Sequence, residues 1–160
     1  MTELLQQLIN GLALGAIYAL IALGYTMVYG VLRFINFAHS DIFMLGAFSG
    51  YYLSRYVPQA SVAGGVLVLL GAMGICALLG VLIEKVAYRP LRGRSTLTVL
   101  ITAIGVSLLL QNLGQRIFGA NPKSFPTLFP QKYFQTEAGL VISSNQILVF
   151  VVAIVLLFML

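Results

Sequence analysis

The residues of this chain that could do chemistry are few, and four of them stand close together, at Asn36, His39, Ser40 and Asp41. Asp41 is the only acid placed well within any of the apolar segments. A charge in an apolar surrounding costs several kcal/mol unless it is paired or hydrated, so Asp41 is a candidate functional residue. Two interpretations are open. Arg33 or a helix N-terminus holds Asp41 structurally, or Asp41 lines a polar path beside the other members of this cluster.

The geometry of this cluster depends on how its helix begins. In a continuous helix Asn36, His39 and Ser40 share a face, while Asp41 points away from it. A broken or re-entrant start would bring all four side chains together. Capping of the helix near an interface, with Arg33 paired to Asp41, is the structural alternative.

A second set of polar residues forms one stripe on a helix predicted from residue 96. Thr98, Thr102, Gly105, Asn112 and Arg116 recur at helical spacing. Such a stripe is expected to face protein or a water path. Because threonine hydroxyls also bond to carbonyls of their own helix, Asn112 is the strongest candidate of the stripe.

The first helix adds a third candidate, Tyr18, which is too deep for an interfacial aromatic belt. Tyr25 and Tyr29 follow at helical spacing, and either a belt or a pore-lining face accounts for them. Gly11 and Gly15, four residues apart, predict close packing of another helix.

Several kinds of site are missing from the sequence. It contains no GxxxxGK[ST] phosphate loop, no HExxH and, with Cys76 as the single cysteine, no cysteine pair. We therefore expect neither ATP hydrolysis nor a catalytic metal, and no cofactor.

The composition indicates the kind of protein in which these polar residues lie. Of 160 residues, 60% are hydrophobic and 8% charged, with a mean hydropathy of +1.00, whereas about a quarter of a soluble domain is charged. The net charge is +5, but the nine basic residues lie between apolar runs and form no basic face, which argues against a nucleic-acid partner. The composition indicates a membrane protein.

Apolar runs predict an all-α, polytopic transmembrane helical bundle, because backbone groups in lipid need internal partners and a helix needs ~20 residues to cross. Unbroken runs exclude membrane-spanning strands. The predicted segments are Leu5 to Val31, Phe34 to Ser54, Val62 to Ile83, Thr96 to Gln115 and Gln146 to Leu160. The last is short of a full span, so we expect residues 1–160 to form one transmembrane domain, the N-terminal portion of a longer protein.

Charged and proline-rich loops predict the orientation. A basic cluster between Lys85 and Arg94 is expected in the cytoplasm by positive-inside bias. The segment Gly119 to Leu140, broken by three prolines, is expected to be extracytoplasmic. Ser143 and Gln146 have the spacing of a capping box and mark the next helix start.

Three stretches resemble one family: GYTMVYGVLRFINFAHSDIFMLGAF (Gly24 to Phe48), EKVAYRPLRG (Glu84 to Gly93) and LITAIGVSLLLQN (Leu100 to Asn112). They resemble the permeases of branched-chain amino acid ABC importers, in the subunit that carries the NFAH signature and the YRPLRG loop. Ser40 departs from the family, which usually has glycine at this position and so has more backbone freedom beside Asp41.

The resemblance implies a multi-pass permease of the bacterial inner membrane. It implies a second permease subunit, two cytoplasmic ATPases, and a periplasmic binding protein that delivers leucine, isoleucine or valine. Family members are about twice as long as this chain. Close relatives of the family transport urea and short amides, so urea and short amides are the alternative substrates. Two rivals lie outside the family: a passive membrane channel, which needs no partners, and an intramembrane enzyme. For the enzyme, His39 and Asp41 are a poor catalytic pair, because residues two apart on a helix point in different directions.

Overall fold

The computed structural model describes residues 2–58, 61–135 and 140–159. Within them the chain forms helices α1 (Thr2–Leu32), α2 (His39–Leu53), α3 (Val62–Ile83), α4 (Thr96–Phe118) and α5 (Ser144–Met159), and strands β1 (Tyr133–Gln135) and β2 (Val141–Ser143). A short 3-10 turn, Ser54–Tyr56, follows α2. A π-helical turn, Glu84–Tyr88, and a 3-10 turn, Arg89–Leu91, extend α3. The predicted helical architecture is confirmed.

Three helical segments of the described residues are long and apolar enough to cross a membrane: Thr2–Leu32, Val62–Leu91 and Thr96–Phe118. The shorter segment Ser144–Phe158 is also apolar. The 15 residues of α2 are fewer than the ~20 that a perpendicular crossing requires. The chain is thus a helical membrane protein in which α2 is short.

Two features differ from the sequence expectation. The helix predicted from Phe34 begins only at His39, because the residues before it form a turn held by side chains. The predicted loop from Gly119 to Leu140 contains β1, and the hairpin closes with β2, which pairs antiparallel with Tyr133 opposite Ser143. These strands lie outside the apolar runs. Residues 136–139 of the loop, including Glu137, are outside the described residues.

The chain divides into two compact units, of which the first comprises Met1–Val28 and Phe129–Leu160. Here the Gln6 side-chain amide donates to the Val141 carbonyl at 2.9 Å and accepts from the Val141 N–H at 2.8 Å. Gln146 Nε2 donates to Asn10 Oδ1 at 2.9 Å. These bonds join α1 to the hairpin and to α5.

The predicted capping box at the start of α5 is present. The Ser143 N–H donates to Gln146 Oε1 at 3.0 Å, and the Gln146 N–H donates to Ser143 Oγ at 3.2 Å. Each side chain thereby satisfies a backbone N–H that the first turn of the helix leaves free.

The second unit, Tyr29–Leu128, holds the candidate site. Its core cluster consists of Ala38, Ile83, Tyr88, Ala103 and Leu110. The cluster draws one residue from the turn before α2, two from α3 and its π-helical extension, and two from α4. This core fixes the start of α2 against the other two elements.

Aromatic rings and two cations pack together at the C-terminal end of α2. Phe48 stacks on Phe118 of α4 with ring centroids 4.7 Å apart. Lys123 Nζ donates to the Tyr52 hydroxyl at 2.6 Å. Arg55 donates to the Tyr51 hydroxyl at 2.8 Å, and this hydrogen bond raises the pKa of Arg55. Both cations at this end therefore have partners.

Candidate functional site

The turn between α1 and α2 sets up the site. Arg33 has a φ of 57°, and its N–H donates to the Tyr29 carbonyl at 2.8 Å, which is the left-handed cap that commonly ends a helix. Asn36 Oδ1 accepts the Ala38 N–H at 3.1 Å, so the asparagine forms a turn with its own backbone. The alternative of a broken helix start is therefore the one that the structure has.

Asn36 is 6% exposed and has a second, distant partner. The Tyr88 hydroxyl, on the π-helical turn after α3, donates to Asn36 Oδ1 at 2.6 Å. Tyr88 is itself buried and meets Phe34 edge to face, with centroids 5.1 Å apart. The Asn36 side chain thus ties the turn to the end of α3.

Asp41 is 4% exposed and lies in the first turn of α2. Ser107 of α4 donates its hydroxyl to Asp41 Oδ2 at 2.5 Å, and Gln111 Nε2 donates to Ser107 Oγ at 3.2 Å. The amides of a helix N-terminus favour a carboxylate in the first turn. Asp41 is therefore held by a helix terminus and a chain of polar groups on α4.

The suggested pairing of Asp41 with Arg33 is not present. In this unit an ion pair joins Arg92 to Glu84, with 2.6 Å between Nη2 and Oε1, and neither residue is Arg33 or Asp41. Arg33 is exposed, while Asp41 is buried against α4, so the two charges face different surroundings. The structural interpretation of Asp41 stands on Ser107 and the helix N-terminus instead.

The other two members of the cluster are less enclosed. His39 is half-buried as the first residue of α2, and Ser40 is exposed and donates to the Phe37 carbonyl at 3.2 Å. The broken start therefore places Asn36 and Asp41 in the interior, each with its own partner on a distant element.

The polar stripe of α4 lies on the helix face opposite the packed one. At about 100° per residue the stripe is centred on the direction of Thr98, which lies roughly 140° from Ala103 and roughly 180° from Ser107. Thr98 and Asn112 are exposed and Thr102 is half-buried. Thr102 and Asn112 donate to the carbonyls four residues back in their own helix, at 2.9 and 2.7 Å. Their remaining hydrogen-bonding capacity points away from the core.

On α1 the candidate Tyr18 is 63% exposed. Apart from the adjacent backbone of α1 itself, no described atom lies within 4 Å of a Cβ built at Gly11 or Gly15. The predicted packing of another helix on this small-residue stripe therefore involves no described part of this chain, and it stays a prediction.

Sequence reasoning missed Tyr88, Ser107 and Gln111. Tyr88 stands in the motif EKVAYRPLRG, but nothing local pairs it with Asn36, 52 residues earlier. Ser107 is a single hydroxyl among apolar neighbours, on the face opposite the polar stripe. A serine of this kind usually bonds to its own helix, so its contact with Asp41 had no local signal.

The chemistry available here is hydrogen bonding. No group of three His, Cys, Asp or Glu residues that could hold a metal ion occurs in the described parts of the chain. Within the same residues every buried side-chain nitrogen and oxygen has a partner. The site joins a satisfied polar interior between α2 and α4 to an exposed polar stripe on the far side of α4.

Comparison with known proteins gives one family. The family described as branched-chain amino acid transport system, permease component, matches residues 7–160. The chain is 42% identical over 161 aligned positions to the high-affinity branched-chain amino acid transport system permease protein BraD of Pseudomonas aeruginosa, covering 96% of this chain and 52% of BraD. No solved structure matches it significantly.

Two further relatives carry the same description with the name LivH. Identity is 42% to LivH of Escherichia coli and 41% to LivH of Salmonella typhimurium, in each case over 129 aligned positions, covering 78% of this chain and 42% of the relative. The chain spans about half the length of the relatives that it matches.

Proposed function

The chain belongs to the branched-chain amino acid transport permease family, and from that premise we propose that it is part of the membrane-spanning permease of an ABC importer for leucine, isoleucine and valine. The observation that carries the proposal is the family match over residues 7–160, joined to three segments long enough to cross a membrane. Residues 1–160 form one transmembrane domain in this proposal, located in the bacterial inner membrane.

The importer needs partners that supply what this sequence lacks. With no phosphate loop in the sequence, ATP is hydrolysed by two cytoplasmic ATPase subunits. A second permease subunit completes the path, and a periplasmic binding protein delivers the substrate. The chain itself is a transport subunit and carries out no reaction.

Within this chain we assign different tasks to the two sets of polar residues. The substrate path is lined by three residues of the α4 stripe, Thr98, Thr102 and Asn112. A branched-chain amino acid is a zwitterion, so a path must replace water around its ammonium and carboxylate groups without holding either tightly. Amide and hydroxyl groups with spare hydrogen-bonding capacity meet that need.

The buried Asn36 and Asp41 hold the start of α2 in position on the opposite side of α4. Each is satisfied by a partner on a distant element, Tyr88 or Ser107, and each is less than a tenth exposed. Tyr18 and His39 remain candidates for the path on their positions alone.

The substrate is tested with the full-length importer in proteoliposomes. We expect ATP-dependent uptake of labelled leucine that requires the binding protein and that excess isoleucine or valine, but not urea, inhibits. Inhibition by urea and short amides, with none by isoleucine, would assign the chain to the amide-transporting branch of the family.

The same preparation separates an importer from a passive channel. An importer permease retains its ATPase subunits through purification in detergent, and its uptake stops without ATP. Leucine flux that persists without ATP and without copurifying ATPase would establish the channel.

A further inference from the structure

A cavity of about 400 Å³ lies in the second unit where α1 ends, α3 ends and α4 begins. Arg33, Arg92 and Arg94 line it together with Glu84, Tyr88 and Thr96. Three arginines and one residue with a carboxylate, Glu84, thus line the same space.

Only one of these guanidinium groups is paired. Arg92 donates to Glu84 at 2.6 Å, which uses the acid of the cavity. No carboxylate of the described residues lies within ion-pair distance of Arg33 or Arg94. At the other end of α2, by contrast, Lys123 and Arg55 are held by tyrosine hydroxyls and rings. The cavity therefore keeps an uncompensated positive charge.

The backbone around the cavity also favours the binding of an anion. Arg33 occupies a left-handed position, with a φ of 57°, where glycine or asparagine would be easier to accommodate. The N-terminus of α4, at Thr96, adds backbone N–H groups beside the guanidinium groups. Phosphate is one of the anions that arginine binds through two parallel hydrogen bonds.

The remaining lining residues tell which phosphate compound fits. Val31, Leu32, Phe34 and Leu91 give the cavity apolar walls. It also stands at the last residues of two candidate membrane spans, Thr2–Leu32 and Val62–Leu91, which is the level of lipid headgroups. An amphiphile with a phosphate head and acyl chains satisfies both kinds of wall, whereas a free phosphate ion leaves the apolar part empty.

We propose that this cavity binds the headgroup of an anionic phospholipid, with Arg33 and Arg94 contacting the phosphate and Arg92 held in place by Glu84. Basic pockets between helices at a membrane surface bind acidic headgroups in this way. The bound lipid would fill the junction between the core of the second unit and the bilayer.

The test uses the complete, delipidated importer and native mass spectrometry with short-chain phosphatidylglycerol. The variant is Arg33→Gln/Arg94→Gln. The matched control is Arg89→Gln/Arg116→Gln, which removes as many charges from residues that do not line the cavity. We expect the affinity for phosphatidylglycerol to fall about thirtyfold in the variant and about threefold or less in the control.

Further ligands and one further variant, measured in the same way, identify the chemical class of the bound molecule. Phosphatidylcholine of equal chain length should bind more weakly than phosphatidylglycerol, and inorganic phosphate should not compete at similar concentrations. Arg33→Lys/Arg94→Lys should lose less affinity, because it keeps the charges without the paired hydrogen bonds. This milder variant keeps the test valid if the glutamine variant fails to assemble.

Three results would overturn the proposal. They are an equal loss of phosphatidylglycerol in variant and control, inorganic phosphate binding as tightly as the lipid, and loss of the ATPase subunits at unchanged lipid affinity. The second would indicate a site for a soluble anion, and the third a docking site for a partner protein.

Discussion

The two faces of α4 differ in a way that the sequence does not suggest. The face toward the core carries Ala103, which is 0% exposed, with Ser107, Leu110 and Gly114. The opposite face carries the more polar stripe of Thr98, Thr102, Gly105, Asn112 and Arg116, and most of it is exposed. The face with more hydrogen-bonding groups is thus the one that this unit leaves uncovered.

The small residues of the packed face indicate which side of α4 serves folding. In a membrane, helices associate through small residues and close van der Waals contact, and burying apolar surface gives little advantage over lipid. Ala103 and Gly114 meet that need. Polar side chains facing lipid would be costly, so the other face of α4 needs water or a further protein surface against it.

The largest effect on folding is expected at Gly114. A Cβ built there would lie 2.8 Å from the Met44 side-chain methyl group. Gly114→Ala requires only that this flexible side chain move, whereas Gly114→Leu adds a full side chain and should cost about 1–3 kcal/mol through overpacking. We expect the yield and the thermal unfolding midpoint of the purified importer to fall for leucine and to change little for alanine.

Gly105 provides the matched control on the other face, since no described atom lies within 4 Å of a Cβ built there. Gly105→Leu should leave the yield unchanged and lower uptake per importer by narrowing the path. Equal losses of yield from Gly105→Leu and Gly114→Leu would show that both faces are packed in the assembled importer, and the comparison would fail.

The next effect is expected at Ser107, the polar residue of the packed face. Ser107→Ala removes the donor to Asp41 and leaves a buried carboxylate oxygen without it, at a cost of about 2 kcal/mol. Asp41→Asn should cost less, because the amide oxygen still accepts from Ser107. A double-mutant cycle on the unfolding midpoint should give a coupling energy for this pair.

Arg33→Gln is the control for this cycle, because Arg33 does not pair with Asp41. Combined with Asp41→Asn, it should give no coupling energy. Uptake normalised to purified importer then decides between the two roles of Asp41. Full assembly with greatly reduced transport in Asp41→Asn would place Asp41 on the path and contradict the structural role proposed here.

A smaller effect is expected where Tyr88 meets Asn36. Tyr88→Phe removes one of the two donors to Asn36 Oδ1, and the Ala38 N–H remains. The cost should be about 1 kcal/mol, the net worth of one neutral hydrogen bond. Thermal unfolding of the importer measures it, with Tyr29→Phe on an exposed face of α1 as the control. An equal shift of the unfolding midpoint in both variants would show that the Tyr88 hydroxyl does not stabilise the site.

The sequence predicted the helices well where composition alone determines them. The runs Val62 to Ile83 and Thr96 to Gln115 became α3 and α4 with bounds that differ by at most three residues. The start of α2 was wrong by five residues, because a tyrosine 52 positions away fixes the turn at Asn36. Apolar periodicity contains no information on such a contact.

The candidate site was predictable to the same extent. Asp41 was identified by its depth in an apolar segment, which is a local property. Its partner Ser107 lies 66 residues away and resembles any serine in a membrane helix, so a wrong partner, Arg33, was proposed from proximity in sequence. Long-range polar pairs require the packing of α2 on α4, which no local pattern specifies.

The smallest effect on folding, and the sharpest test of the comparison, is expected at Asn112. Asn112→Leu replaces an exposed amide by an apolar side chain of similar size, so the free energy of unfolding should stay within the roughly ±0.5 kcal/mol typical of surface changes. Uptake of labelled leucine per importer should nevertheless fall severalfold, because the zwitterion loses a group that replaces water. Ile104→Leu, another exposed position of α4, should change neither quantity. Unchanged uptake in Asn112→Leu would mean that this face meets lipid or a partner helix, and the path would then have to be sought on α1.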